Sequence, residues 1–136
     1  MNLLLNIKLY LLTFVVFLGI DAVWLAKVAP NFYKTNIGHL MTEKPNLTAA
    51  GIFYFINIFG ILIFALIPAL NKNSLSTAFL LGALYGLVTY ATYDLTNLAT
   101  LRDWPLKVTL VDITWGTFLS SVTAGVGFLL AKKFLL

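Results

Sequence analysis

The sequence predicts an all-α membrane protein, a bundle of four transmembrane helices with a short interfacial helix between the first and the second. Three observations carry this. The 136 residues are 60% hydrophobic and only 10% charged, where a soluble domain carries roughly a quarter charged residues. With a mean hydropathy of +0.93, the chain cannot cover a water-facing surface. The apolar residues fall in four runs, each long enough at ~1.5 Å per residue to cross a hydrocarbon core of about 30 Å. Finally, the few polar residues inside those runs recur at one depth. Residues 1–136 read as one membrane domain with spans at 3–29, 47–70, 74–98 and 105–131.

The first span, Leu3 to Ala29, has its apolar core at Leu9 to Ile20, is interrupted by Asp21, and is expected to end at Pro30. A positive start before an apolar core also resembles a signal peptide. The apolar pattern resumes at Ala22-Val23-Trp24-Leu25-Ala26 and no small-x-small site follows, so the segment is expected to remain as a span. In the loop Asn31 to Asn46, Tyr33, Ile37, Leu40 and Met41 recur at helical spacing around Lys34 and His39. That is the pattern of an amphipathic helix at the interface, weakened by Gly38. Asn46-Leu47-Thr48 matches a glycosylation sequon, a match common by chance. The second span, Leu47 to Leu70, carries Tyr54 and Asn57 early and Pro68 near its exit.

Asn71-Lys72-Asn73-Ser74 is a tight turn, with Ser74 or Ser76 available to cap the next helix. So short a connection makes the second and third spans antiparallel neighbours. The third span, Ser74 to Leu98, contains Gly82 and Gly86, a small-xxx-small pattern that lets another helix approach closely. Pro105 suits the first turn of the fourth span, where its missing N–H costs nothing. That span runs to Ala131 and exits at Lys132 and Lys133.

Composition excludes several function classes. The net charge is +4, but the basic residues stand singly at the ends of apolar runs, as headgroup anchors do. No nucleic-acid surface is expected, and membrane lipids are the surrounding partner. With no cysteine and one histidine, His39, neither a cysteine-ligated nor a multi-histidine metal site is available in one chain. No metal and no cofactor are expected.

Three aspartates remain to be explained. Two loops, Asn31–Asn46 and Ala99–Trp104, lie on one side of the membrane, here the loop side; the termini and the Lys72 turn lie on the other, the terminal side. Asp21, Asp94 and Asp112 all fall roughly 6 to 12 Å inside the loop-side ends of their helices, with Tyr54 and Asn57 at similar depth on the second span. Gly82, Gly86, Tyr90 and Asp94 repeat at steps of four, followed by Asn97, and so share one face. Asp112, Gly116 and Ser120 share another, with Trp115 beside them. Asp21 and Trp24, and Asp112 and Trp115, repeat an Asp-x-x-Trp pattern in which spacing places each indole beside its own carboxylate. By insertion scales, three intramembrane acids cost roughly 7 to 10 kcal/mol. Held together, they repel as anions, so at least one is expected to keep its proton at neutral pH.

The segments Asp21-Ala22-Val23-Trp24-Leu25, Phe32-Tyr33, Ile37-Gly38-His39-Leu40, Phe53-Tyr54, Gly86 through Asn97, Trp104-Pro105 and Asp112-Ile113-Thr114-Trp115-Gly116 together resemble a bacterial membrane-protein family catalogued as domain of unknown function 2177. The resemblance spans nearly the whole chain, and Tyr93-Asp94-Leu95-Thr96-Asn97 is its most specific part. It implies a small four-helix protein of the bacterial inner membrane and supplies no activity.

Three functions fit the polar layer. The first is binding or transport of a small cationic or hydrophobic ligand, proton-coupled, in a cavity lined by Asp21, Trp24, Tyr54, Asn57, Tyr90, Asp94, Asn97, Asp112 and Trp115 and open to the loop side. A homodimer through the Gly82/Gly86 face would suit so small a chain. The second is an intramembrane enzyme acting on a lipid or isoprenoid, with Asp94 or Asp112 as catalytic acid and another carboxylate as base, in proton-transfer chemistry such as isomerisation. No nucleophile motif or phosphate-binding glycine loop points to other chemistry. The third is a structural or regulatory subunit in which the polar groups only join helices, as in an Asp94–Tyr54 or Asp112–Asn97 bond, with Lys27, Arg102 or Lys107 neutralising acids and Trp24, Tyr93 and Trp104 forming an aromatic belt. Basic residues number four on the terminal side (Lys8, Lys72, Lys132, Lys133) against five on the loop side. This near balance sets no firm orientation, and the termini are assigned to the cytoplasm.

Overall fold

A computed structural model describes all residues, Met1–Leu136. Four helices are long and apolar enough to cross the membrane: α1 (Leu3–Lys27), α3 (Leu47–Asn71), α4 (Leu75–Thr100) and α5 (Leu106–Phe134). A nine-residue helix, α2 (Ala29–Ile37), follows α1, and a single 3-10 turn (Gly38–Leu40) closes it. The chain is an all-α membrane bundle.

Each helix start has a physical cause. The side chains of Asn2, Asn46 and Ser74 accept hydrogen bonds from the N–H groups of Leu5 (2.8 Å), Ala49 (3.0 Å) and Thr77 (3.2 Å), each meeting one of the donors that a first turn leaves free. Asn46 of the sequon is thus a helix cap. α1 stops at Lys27, two residues before the expected end, because Pro30 belongs to the next helix. It sits in the first turn of α2, where a missing N–H is harmless, and Val28 makes the joint. The interfacial helix therefore begins four residues earlier than Tyr33, where its amphipathic pattern starts.

α3 is irregular near its exit. Leu62–Leu66 forms one wide π turn, in which the Ile67 N–H reaches back to the Leu62 carbonyl. Pro68 follows and cannot donate, so the ladder is already weakened there. The wide turn delivers Leu62, Ala65 and Leu66 to the interior.

The apolar core occupies the terminal-side half of the bundle: Leu9 and Phe17 of α1, Ile58 to Ala69 of α3, Ala78 of α4, and Leu119, Ala124, Phe128 and Ala131 of α5. Most threonine hydroxyls in the spans are satisfied within their own helix. Thr92, Thr96, Thr100, Thr114 and Thr117 donate to the carbonyl four residues back at 2.6–2.8 Å, which hides a donor from lipid.

α4 and α5 pack closely along the glycine face. A Cβ at Gly86 would stand 2.2 Å from the Gly116 carbonyl oxygen, and one at Gly82 would stand 2.6 Å from that of Ser120. The small-xxx-small pattern is thus consumed inside the chain. This corrects the expectation that the Gly82/Gly86 face joins two copies: close backbone approach is what the pattern provides, and α5 takes it.

Candidate functional site

The three aspartates converge in the loop-side half. Asp21 and Asp112 are 6% and 7% exposed, and Asp94 is fully buried. Helix register places them there. Each sits on the inner face of its helix, and α5 packs against both α1 and α4.

Asp21 is met by two donors. The Tyr54 hydroxyl donates to its Oδ2 at 2.6 Å, and the Trp115 indole N–H points to its Oδ1 at 3.4 Å. Trp115 therefore serves the carboxyl of the opposite helix, not Asp112 of its own as the spacing suggested. The reason is the neighbouring indole. Trp24 and Trp115 stack face to face, 4.5 Å apart and 10° from parallel, and this orients Trp115 across the α1–α5 contact.

Asp112 takes its hydrogen bond from the Tyr33 hydroxyl. Tyr33 lies on α2, outside the spans, and reaches down from the interface. Burial, together with the Asp112 carboxyl it faces, holds its phenol well above the ordinary tyrosine range, against a weaker opposite pull from the Trp24 indole. Tyr33 therefore stays a donor. Sequence spacing puts it on the apolar face of the interfacial helix, and its role at the acid layer is a finding of the structure.

Asp94 has neither kind of support. Both carboxyl oxygens are buried and meet no tyrosine, tryptophan or other standing donor. The Asp112 carboxyl lies within hydrogen-bond reach, a bond that forms only when one of the two acids carries a proton. No lysine or arginine is among the groups acting on Asp94 or Asp112; Lys107 instead stands over the Phe32 ring, 6.0 Å from its centre. The neutralisation by Lys27, Arg102 or Lys107 that a purely structural layer would use is not made. Nor are the Asp94–Tyr54 and Asp112–Asn97 bonds: Tyr54 goes to Asp21 and Tyr33 to Asp112.

Tyr90 fills the centre. Its phenol stands in the field of Asp21, Asp112 and Asp94 together, and its ring covers Gly116, where a Cβ would come within 2.1 Å. Two expected members, Asn57 and Asn97, make no side-chain hydrogen bond to the acids. The Asn57 carbonyl accepts from the Tyr85 hydroxyl at 3.2 Å, and the Asn97 side chain sits by Tyr93. On the loop side, buried Trp104 covers the layer. Its indole N–H donates to Thr109 Oγ1 at 3.0 Å, which in turn lies 3.5 Å from the Asp94 backbone carbonyl. Trp104 is a structural part of the site rather than a belt residue.

Two shallow grooves open toward lipid beside the layer. One is lined by Ala83, Leu87, Ile113, Thr117, Phe118 and Ser121 among others. The other is lined by Trp24, Leu110, Val111, Thr114, Trp115 and Phe118, so the stacked indoles are the wall between this groove and Asp21.

These features define a multi-pass α-helical membrane protein with a shared acid layer between its helices. Within that class, the chain belongs to the family described as predicted membrane protein (DUF2177), which its residues 6–129 match. No curated protein and no solved structure matches the chain.

Proposed function

We propose that the protein binds a small hydrophobic cation within the membrane in exchange for a proton held by the Asp94–Asp112 pair. The observation that carries this is Asp94 itself: fully buried, met by no standing donor and set within hydrogen-bond reach of a second acid. An isolated carboxylate in such a place is prohibitively costly, so the group holds a proton or a cation. The two states are alternatives, which makes them an exchange. Asp21 and Asp112 keep phenol donors throughout, so the third carboxyl is the one left to change state.

The groove at Trp24 and Trp115 suits lateral entry of a lipid-soluble cation, and indole faces attract cations. The setting proposed is the bacterial inner membrane with the termini in the cytoplasm. A homodimer, if formed, uses a surface other than the Gly82/Gly86 face.

The test is proton release. Tetraphenylphosphonium is added to purified protein in weakly buffered detergent containing a pH indicator. The expected result is about one proton released per cation bound, and none from Asp94→Asn. Binding without release, or equal release from the variant, would overturn the proposal. A second reading draws on the same groove, whose lining is apolar and open to lipid. In it, Asp94 protonates a lipid or isoprenoid and Asp112 removes a proton elsewhere on it. A product distinct from the added lipid, formed by wild type and not by Asp94→Asn, would favour that enzyme.

A further inference from the structure

Below the acid layer, the buried side-chain polar atoms that have no hydrogen-bond partner belong to Ser120, Thr123 and Asn6. Ser120 and Thr123 of α5 are fully buried, and their hydroxyl oxygens have no hydrogen-bond partner. They break the rule that this chain otherwise keeps, since most of its other intramembrane threonines bond back to their own helix. Thr123 is able to do the same with Leu119 and does not. A buried hydroxyl left unmet costs about 1–3 kcal/mol.

The two hydroxyls are not scattered. From the acids toward the terminal side, Tyr90 lies one turn from Asp94, with its ring on Gly116. The Ser120 hydroxyl comes next, against the bare backbone of Gly86, where a Cβ would stand 2.8 Å from its oxygen. The level of Thr123 follows from the Trp115–Asp21 contact between antiparallel α1 and α5. Thr123 is eight residues beyond Trp115, and Thr13 is eight residues before Asp21, so they lie at about the same depth. Thr13 is also fully buried; it donates to the Leu9 carbonyl at 2.7 Å and keeps its lone pairs free. Beyond it, Asn6 Oδ1 is again buried and unpartnered. Only Leu9 intervenes, an apolar level of the kind that gates a polar path by dewetting. From Asp21 to Asn6 this line covers roughly 22 Å at ~1.5 Å per residue.

We propose that Tyr90, Ser120, Thr123, Thr13 and Asn6 form a proton path joining the Asp94–Asp112 pair to the terminal side of the membrane. Hydroxyls both donate and accept, so with water between them they pass a proton along without changing charge. The path rests on reading the Asp94–Asp112 pair as the proton-holding site. It adds the side from which that proton comes and goes.

The test uses purified full-length protein in liposomes containing a pH-sensitive dye, with a potassium gradient and valinomycin to set the driving potential. The acids lie only about 6 to 12 Å inside the loop-side helix ends, and Tyr33 of the interfacial helix reaches Asp112 from there. The path therefore completes a route across the membrane, and wild type is expected to acidify the vesicles well above the protein-free rate. The double variant Ser120→Ala/Thr123→Val is expected to be at least tenfold slower, while Thr123→Ser, which keeps the hydroxyl, retains the flux. Removing unpartnered hydroxyls does not cost a hydrogen bond, so the double variant should melt no lower than wild type. Tetraphenylphosphonium-driven proton release is measured on the same proteins in detergent. The double variant should still release its proton, whereas Asp94→Asn loses both release and flux. Wild-type flux in the double variant, or no flux from wild type, would overturn the path. Flux that depends on Ser120 and Thr123 without cation-driven release would leave the path standing and remove the cation reading.

Discussion

Tyr54 and Tyr33 are placed alike: each phenol donates to one aspartate from a neighbouring helix. A donor to a buried acid matters most when it is removed, because the acid is then left unmet. Tyr54→Phe leaves Asp21 with only the long Trp115 contact of 3.4 Å. It is expected to destabilise the protein by about 1–3 kcal/mol, seen as a lower melting temperature in detergent. An unchanged melt would mean that Asp21 does not depend on Tyr54. At this scale the sequence was only partly legible. The depth of Asp21, Asp94, Asp112 and Tyr54 followed from counting residues along helices. Tyr33 did not, because it lies 79 residues from its partner and a tyrosine on an amphipathic helix reads equally well as apolar. The pairing of Trp115 with Asp21 was also hidden, since it depends on the Trp24 stack between two helices.

The α4–α5 contact sets the spacing of the acid layer. Gly86 lies against the Gly116 backbone and Gly116 against the Tyr90 ring, so these two glycines bring Asp94 and Asp112 together. Gly86→Ala would place its Cβ 2.2 Å from a backbone oxygen, where no flexible side chain is available to yield. The expected cost is about 1–3 kcal/mol. Gly51→Ala is the control: a Cβ there meets nothing within 4 Å, and helix propensity favours alanine by up to about 1 kcal/mol. Opposite shifts in melting temperature are therefore expected. The small-xxx-small pattern was legible along the chain, but its partner was not. A face that permits close approach does not say whether the approaching helix is internal or from another copy. The wide turn in α3 was hidden for a similar reason. Pro68 signals a weak ladder, and only packing decides how the helix absorbs it.

At the scale of the whole molecule, the membrane sorts the chain more strictly than water would. Four apolar runs had to become helices, since no other element satisfies its backbone within one segment, and their lengths were legible to within three residues at every end. Lipid-facing threonines bond to their own helices, and the core on the terminal side is apolar. Polar groups that escape these rules are few: the three acids with their aromatic donors, and the line from Ser120 to Asn6. Their common feature is burial without full satisfaction at Asp94, Ser120, Thr123 and Asn6. A bundle holding its helices together by polar bonds alone would have paired them. The unpaired set lies instead along the interior, from the acid layer to the far end.

The most direct measurement is infrared spectroscopy of the protonated-carboxyl C=O stretch in purified protein at neutral pH, wild type against Asp94→Asn. The expected result is a band in wild type that shifts in heavy water and loses intensity in the variant, which has no carboxyl at that position. A spectrum with no such band in wild type, or the same band in both proteins, would contradict a proton held at Asp94.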